Sequence, residues 1–363
     1  MVTTRNILLY PVSLIYGLIT GFRNFLFNTG ILPTTIFPIP VICVGNITVG
    51  GTGKTPHTEY LVDLLRKNFK VATLSRGYKR ETGDFRIATS LSTVSEIGDE
   101  PMQIFSKFPD ILVTVDKKRV NGAWRILHYA SDTEVIILDD GFQHRSITSG
   151  LSILLSDFER PFTKDYMLPF GNLREHRSNM RRADIILITK CPKNLNPMQK
   201  RLALKEIGKA PYQNLYFTSL SYKSPLPVFD KGKDQFYFDL TKCSGSGIVL
   251  LTGVANPTPL KEYLHKFFSE MIELAYPDHY SYRKNDMITI TAAFNNLKSS
   301  SKYIMTTEKD AVRLREFTDI EESVKSALFY IPVGITFLND EKDEFDKLIL
   351  DYVGKNKPDI RVS

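Results

Sequence analysis

Val44-Gly45-Asn46-Ile47-Thr48-Val49-Gly50-Gly51-Thr52-Gly53-Lys54-Thr55-Pro56 decides the fold. An apolar run, Pro40 to Val44, leads into it, and a helical pattern with Leu61, Leu64 and Leu65 follows. Strand, glycine-rich turn, Lys-Thr and helix, in that order, describe a phosphate-binding loop. The glycines let backbone N–H groups close around phosphate oxygens. Lys54 offers a point charge to the β- and γ-phosphates, and the Thr55 hydroxyl offers a ligand to Mg2+. The helix that follows aims its positive N-terminus at the same anion. Thr48 stands where the strict pattern has glycine, and Gly50 and Gly51 keep the turn pliable. A nucleoside triphosphate is therefore expected on Thr48, Gly50, Gly51, Thr52, Gly53, Lys54 and Thr55.

The alternation continues outward from the loop. Strands are expected over 70–75, 111–115, 134–140, 151–155 and 184–189, with helices over 101–108 and 117–129. This is an α/β pattern: a P-loop NTPase-type, mostly parallel sheet flanked by helices, with ligands at the carboxyl ends of the strands. Around 221–247 the chain is punctuated by Pro225, Pro227, Gly232, Gly245 and Gly247, and Gln235 to Leu240 reads as a strand. A β-ribbon linker, serving as the hinge, is expected there. A second α/β set begins at Ile248, with strands near 248–252, 271–274, 303–307 and 329–333 and helices near 259–268, 286–297 and 341–352. The expected division is an N-terminal segment 1–35, a P-loop domain 36–220, a linker 221–247 and a smaller α/β domain 248–363.

With 363 residues, 42% hydrophobic and 24% charged, the chain has an ordinary globular composition. Its net charge of +7 suits an anionic partner. Cys43, Cys191 and Cys243 are sparse, odd in number and far apart, which argues against a disulfide framework or zinc site. No aromatic-basic repeat points to nucleic acid. The N-terminus is unusual: between Asn6 and Gly53 the only charged residue is Arg23. Ile7 to Thr20 is apolar, short for a membrane span and interrupted by Pro11, and Phe22, Phe25 and Phe27 follow. A helix in the plane of a membrane interface is expected, with aromatic rings near the headgroups.

Glu134-Val-Ile-Ile-Leu-Asp139-Asp140 is an apolar strand ending in two carboxylates. A carboxylate at such a strand end holds Mg2+ beside the loop threonine. Ile188-Thr189-Lys190-Cys191 begins like a guanine-recognition signal but lacks its aspartate, which argues against a regulatory GTPase.

Leu138-Asp139-Asp140-Gly141-Phe142-Gln143-His144-Arg145 resembles the signature of the tetraacyldisaccharide 4'-kinases, the lipid A 4'-kinases of Gram-negative bacteria. Further strings follow in that family's order: Ser75-Arg76-Gly77-Tyr78, Gly98-Asp99-Glu100-Pro101 and Leu168-Pro169-Phe170-Gly171-Asn172-Leu173-Arg174-Glu175. Thr252-Gly253-Val254-Ala255-Asn256-Pro257, Pro277-Asp278-His279-Tyr280 and Thr306-Thr307-Glu308-Lys309-Asp310-Ala311 complete the set.

The resemblance implies transfer of the γ-phosphoryl group of ATP to the 4'-hydroxyl of an acylated glucosamine disaccharide 1-phosphate. The setting it implies is the cytoplasmic face of the inner membrane. It implies Asp99 as catalytic base, with His279 as the partner that orients it and Lys54 as the charge on the phosphates. A sugar hydroxyl must lose a proton to attack, and an ordinary Asp, with a pKa of about 3.9, is a weak base that a partner improves. Thr55, Asp139 and Asp140 would hold Mg2+, with Glu100 joining when the domains close. Gln143 would assist near the phosphates. Arg76, Asn172, Arg174 and Glu175 would grip the disaccharide and its phosphate, a task suited to the guanidinium fork. His176, Arg177, Arg181 and Arg182 form a basic cluster fit for anionic headgroups. The phospholipid surface is then the expected partner, and no obligate protein partner is indicated.

Overall fold

The computed structural model describes residues 7–78, 80–229, 238–317 and 319–357. Two sheets organise them. The larger has nine strands, in the order Val333–Phe337, Asn214–Tyr222, Ile185–Thr189, Leu151–Asp157, Val41–Gly45, Val135–Asp139, Val71–Ser75, Leu112–Val115 and Arg86–Ile87. All neighbours pair in parallel except at the two edges, where Val333–Phe337 and Arg86–Ile87 run antiparallel. The central strands are buried on both faces and so read as unbroken runs of Val, Ile and Leu rather than as alternation. Their side chains feed two cores, one on each face of the sheet.

Val41–Gly45 lies directly beside Val135–Asp139, with Val44 in register with Asp139. The phosphate loop and the carboxylate pair therefore leave the sheet at one edge, side by side. This is the placement that the two motifs require of each other.

The smaller sheet has five strands, ordered Glu270–Ala275, Gly247–Thr252, Lys302–Thr307, Leu328–Ile331 and Leu226–Pro227. Only Leu226–Pro227 is antiparallel to its neighbour. Two further cores cover this sheet.

Three features depart from the expected organisation. The strand expected near 329–333 divides in two. Leu328–Ile331 stays in the small sheet, while Val333–Phe337 crosses to the edge of the large one, where it pairs with Asn214–Tyr222. Pro332 sits at the break, where a residue without an N–H is no loss to either ladder.

The C-terminal helix Lys342–Asn356 follows this strand, and its Phe345, Ile349 and Val353 join the core of the large sheet. The expected small domain 248–363 thus ends near Pro332, and the remaining described residues complete the first domain. No local pattern marks that return, because an amphipathic helix fits either sheet equally well.

The linker also differs. Of the strand expected over 235–240, residues 235–237 lie outside the described residues, and Leu240–Lys242 is a short 3-10 turn. A two-stranded connection does exist, but it is made of the outgoing and returning chains: Leu226–Pro227 against Leu328–Ile331, and Asn214–Tyr222 against Val333–Phe337. The Lys223 amide donates to the Pro332 carbonyl at 2.9 Å where the two chains pass between the domains.

Pro11 does not interrupt the N-terminal helix, which spans Tyr10–Asn28 with the proline in its first turn. There the missing N–H has no intrahelical partner to lose. The helix is mounted with its polar side inward. Ser13 Oγ donates to the Met167 carbonyl at 2.6 Å, Tyr16 OH to the Arg174 carbonyl at 3.1 Å, and Asn24 Nδ2 to Glu175 Oε2 at 3.0 Å. The opposite side is apolar and open, with Leu18 73%, Ile19 63% and Phe22 63% exposed. Among the described residues no helix is long and apolar enough to cross a membrane.

Candidate active site

Gly53, at φ +86°, turns the chain in the left-handed region and delivers Lys54 and Thr55 as the first turn of the helix Lys54–Leu65. The loop is braced from within. Asn46 Nδ2 donates to Thr52 Oγ1 at 2.8 Å, and Thr189 Oγ1 donates to the Thr52 carbonyl at 2.8 Å. His57, fully inside the helix–sheet interface, donates from Nδ1 to the Gly53 carbonyl at 2.7 Å, and its Nε2 lies 2.9 Å from Thr218 Oγ1. Burial lowers its pKa to about 4, so the ring is neutral at physiological pH. The Val49 amide donates to the Asn172 carbonyl at 2.7 Å and the Arg174 amide to the Ile47 carbonyl at 2.8 Å. The segment around 172–174 is thereby strapped onto the loop.

The carboxylate pair divides its tasks. Asp139, 1% exposed, accepts from Thr58 Oγ1 at 3.0 Å. Burial, then the charges of Glu100 and Asp140, raise its pKa well above the usual carboxylate range, while Lys54 pulls it down. Asp140 lies 3.6 Å from Lys54 Nζ and 2.9 Å from Arg174 Nη1. Burial works to raise this carboxyl, but the Lys54 and Arg174 charges outweigh it and hold it below its ordinary value.

An arrangement in which acids repel one another and two cations stand among them fits a divalent ion brought in with phosphates. Among the described residues no group of three or more His, Cys, Asp or Glu is gathered as a protein-only metal cage. Mg2+ is suited to the setting found, since it binds through one or two carboxylates plus substrate oxygens and water. Thr55, Asp139 and Asp140 could supply such a set, and the charge of Glu100 acts on Asp139.

Asp99 and Glu100 open the helix Asp99–Lys107, where the positive helix end favours acids. Asp99 Oδ2 receives His279 Nδ1 at 2.7 Å, and the same oxygen receives Arg313 Nη2. Burial pushes this carboxyl up, but the His279 hydrogen bond and the Arg313 charge outweigh it and hold it far below the usual range. With Nδ1 donating to Asp99, His279 Nε2 accepts from Lys309 Nζ at 3.3 Å, and Lys309 also reaches Glu100 Oε1 at 3.3 Å. Tyr78 packs edge-on against the imidazole at 5.1 Å. Asp99 comes from the large domain, and His279, Lys309 and Arg313 come from the small one.

The residues expected to grip substrate separate into two kinds. Arg76 is exposed at the end of its strand. Arg174 lies at the site edge, holding Asp140 and donating to Gln143 Oε1 at 3.3 Å, while Gln143 Nε2 donates to the Asn46 carbonyl at 2.8 Å. Asn172 Nδ2 is engaged by Asp165 Oδ2 at 2.9 Å. Glu175 is 2% exposed and held by Asn24 and by Arg182 Nη2 at 2.6 Å, so it ties the N-terminal helix down.

Sequence reading missed Thr58 and Arg313. Thr58 is four residues past Lys54, one helical turn along and on the same face. Arg313 is three residues past Asp310 and pairs with it at 2.8 Å, a spacing that extending the Thr306 to Ala311 string by one turn would have caught.

The model of the tetraacyldisaccharide-1-P 4'-kinase family matches residues 5–354. A tetraacyldisaccharide 4'-kinase of Phocaeicola vulgatus is 45% identical over 350 residues, covering 96% of this chain and 95% of the relative. The chain belongs to the tetraacyldisaccharide 4'-kinase family. Another member, from Bacteroides thetaiotaomicron, is 42% identical over 354 residues, covering 96% of this chain and 93% of its own. Among solved structures, LpxK from Aquifex aeolicus in complex with ATP superposes with TM-score 0.73 at 29% identity, covering 95% of this chain and 98% of that one. The family's enzymes are kinases, and so is this protein.

Proposed function

We propose that this kinase transfers the γ-phosphoryl group of ATP to the 4'-hydroxyl of tetraacyldisaccharide 1-phosphate, at a lipid surface. Family membership supports the reaction. The observation that carries the mechanism is the Asp99–His279 pair, one residue from each domain, next to a Glu100 whose charge acts on the strand-end Asp139.

In this reading the loop amides and Lys54 would hold the triphosphate, and Thr55, Asp139 and Asp140 would hold Mg2+, with Glu100 alongside. The ion would neutralise charge on the phosphates, which is most of what phosphoryl transfer demands. Asp99 takes the proton of the attacking hydroxyl. Its low basicity is offset by placement, because orientation of the reacting groups carries a large share of such catalysis. His279 holds the carboxylate, and Lys309 holds the far side of the imidazole. Arg76 and Arg174 face the phosphorylated disaccharide, and Gln143 steadies Arg174. The crossing at Lys223 and Pro332 is the hinge.

The N-terminal helix supports the lipid surface. A helix seated by Ser13, Tyr16 and Asn24 and open on its apolar side has reversed the arrangement expected in water. Lying in a membrane interface removes that cost and brings the strap that Tyr16 holds at the Arg174 carbonyl close to the lipid.

Purified protein with Mg-ATP and the acylated disaccharide 1-phosphate should yield a doubly phosphorylated lipid. ATP hydrolysis with no such product would overturn the reading. Replacing Ile15, Leu18, Ile19 and Phe22 by Ser should release the protein from phosphatidylglycerol-containing vesicles; undiminished sedimentation with them would remove the helix from the membrane role.

A further inference from the structure

Of the strings Thr252-Gly253 onward and Thr306 to Ala311, only Lys309 has entered the chemistry above. Their places in the small sheet explain them. Gly253 follows the strand Gly247–Thr252, and Thr307 ends the neighbouring strand Lys302–Thr307, with Glu308 to Arg313 in the helix after it. His279 follows the strand Glu270–Ala275 on the other side. All three loops meet at the carboxyl ends of adjacent parallel strands, the position where open α/β sheets keep their functional groups.

There they build a bracket around Arg313. Asp310 is wholly buried in the first turn of the helix that Thr307 caps: its Oδ2 accepts from the Gly253 amide at 2.8 Å and from Thr307 Oγ1 at 2.7 Å. Its Oδ1 accepts from Arg313 Nη1 at 2.8 Å. The Gly253 carbonyl accepts from the His279 amide at 3.3 Å and from Arg313 Nη1 at 3.5 Å. One peptide unit thus aims both donors that reach Asp99. A side chain at 253 is excluded by this arrangement, since its Cβ would lie 2.8 Å from Asp310 Oδ1 and 3.5 Å from Arg313 Nη1. Both donors converge on Oδ2 of Asp99, and Oδ1 carries no hydrogen bond among the described residues.

We propose that Arg313 is a positioning residue: held by Asp310 and Gly253, it fixes the Asp99 carboxylate so that its second oxygen faces the acceptor hydroxyl. The inference rests on the reading of Asp99 as the base. Because Arg313 and His279 arrive together on the small domain, the base is aimed only when the domains are closed. A guanidinium suits the task better than an ammonium, since its planar fork bonds Asp310 with one nitrogen and Asp99 with another.

The test is a mutant cycle on kcat, with KM for ATP and thermal unfolding measured beside it. Arg313→Met should lower kcat about 10- to 100-fold while KM for ATP changes less than about twofold, because the loss falls on proton transfer alone. Arg313→Lys should recover part of that loss. In an Asp99→Asn background, where no base remains to be aimed, Arg313→Met should cost less than about threefold. Asp310→Asn and Gly253→Ala keep Asp99 and Arg313 themselves and disturb only the bracket around them, the alanine by pressing its Cβ on Asp310. They should each lower kcat about 3- to 10-fold, and they carry the test if Arg313→Met does not fold.

Equal losses from Arg313→Met in both backgrounds, or Lys as harmful as Met, would make Arg313 an interdomain tie and overturn the proposal while leaving the base intact. Near-normal turnover by Asp99→Asn alone would instead remove the base reading, and this inference with it.

Discussion

The half of the site proposed to handle phosphate and the half proposed to handle the proton are built in different ways. The first lies within one domain: the loop after Val41–Gly45, the helix Lys54–Leu65 and the strand end at Asp139 are neighbours in one sheet. It is braced by Asn46, His57 and Thr189, all from that domain. The second exists only between domains, as Asp99 with His279 and Arg313. In the proposed reading, nucleotide binding rests on one domain and base catalysis on both.

The interface has a second ionic group away from the base. Lys107 Nζ meets Glu59 Oε2 at 2.5 Å and Glu308 Oε1 at 3.0 Å, and Gln103 Nε2 meets Glu59 Oε1 at 2.7 Å. Glu59 lies on the phosphate-loop helix, Lys107 on the helix that carries Asp99, and Glu308 on the helix that carries Arg313. One helix of the small domain therefore engages the large one three times, through Glu308, Lys309 and Arg313.

Four outcomes test the contrast. Lys54→Ala should have the largest effect, lowering kcat/KM for ATP about 10³-fold or more with the fold unchanged by circular dichroism, because charge on the phosphates is left uncompensated. Wild-type rates from that variant would end the kinase reading of the loop. Asp99→Ala should lower kcat about 10²- to 10³-fold while ATP affinity, measured calorimetrically, moves less than about threefold. A parallel loss of affinity would mean that the two halves are not separate.

Lys107→Met leaves Glu59 and Glu308 facing each other across the interface. It should lower kcat about tenfold and stability by about 2 kcal/mol, less than for a fully buried pair because Lys107 is partly open to solvent, with ATP affinity retained. Weakened ATP binding there would show that closure and nucleotide binding are one event.

The smallest effect is a pH dependence. Burial, then the Glu308 charge, push the Glu59 carboxyl up to about 7 from its ordinary 4.5, against the pull of Lys107. A carboxyl whose folded pKa is raised contributes stability that is complete below the unfolded value and is lost as pH climbs through the folded one. Denaturant unfolding should therefore show stability falling by about 1 kcal/mol from about pH 5 to about pH 7.5, and Glu59→Gln should flatten that slope. An unchanged slope in the variant would place the titration elsewhere.

The readable part of this protein is the part whose causes are local. A glycine-rich turn, a helix that must start at Lys54 and an apolar strand that must end at Asp139 each depend on residues a few positions away, so their pattern survives in the linear chain. Asp99 and His279 are 180 positions apart and were legible only through resemblance, since a lone histidine carries no local mark of its partner.

Tertiary structure alone decided the rest. It returned 333–356 to the first sheet, because an edge strand takes whichever ladder is open and an amphipathic helix covers whichever core is bare. It turned Glu175 inward to anchor the N-terminal helix. It also brought Arg313 onto Asp99, because which charge meets which across a domain boundary depends on the closed geometry of both sheets, and the order of residues in one strand or helix carries no record of that geometry.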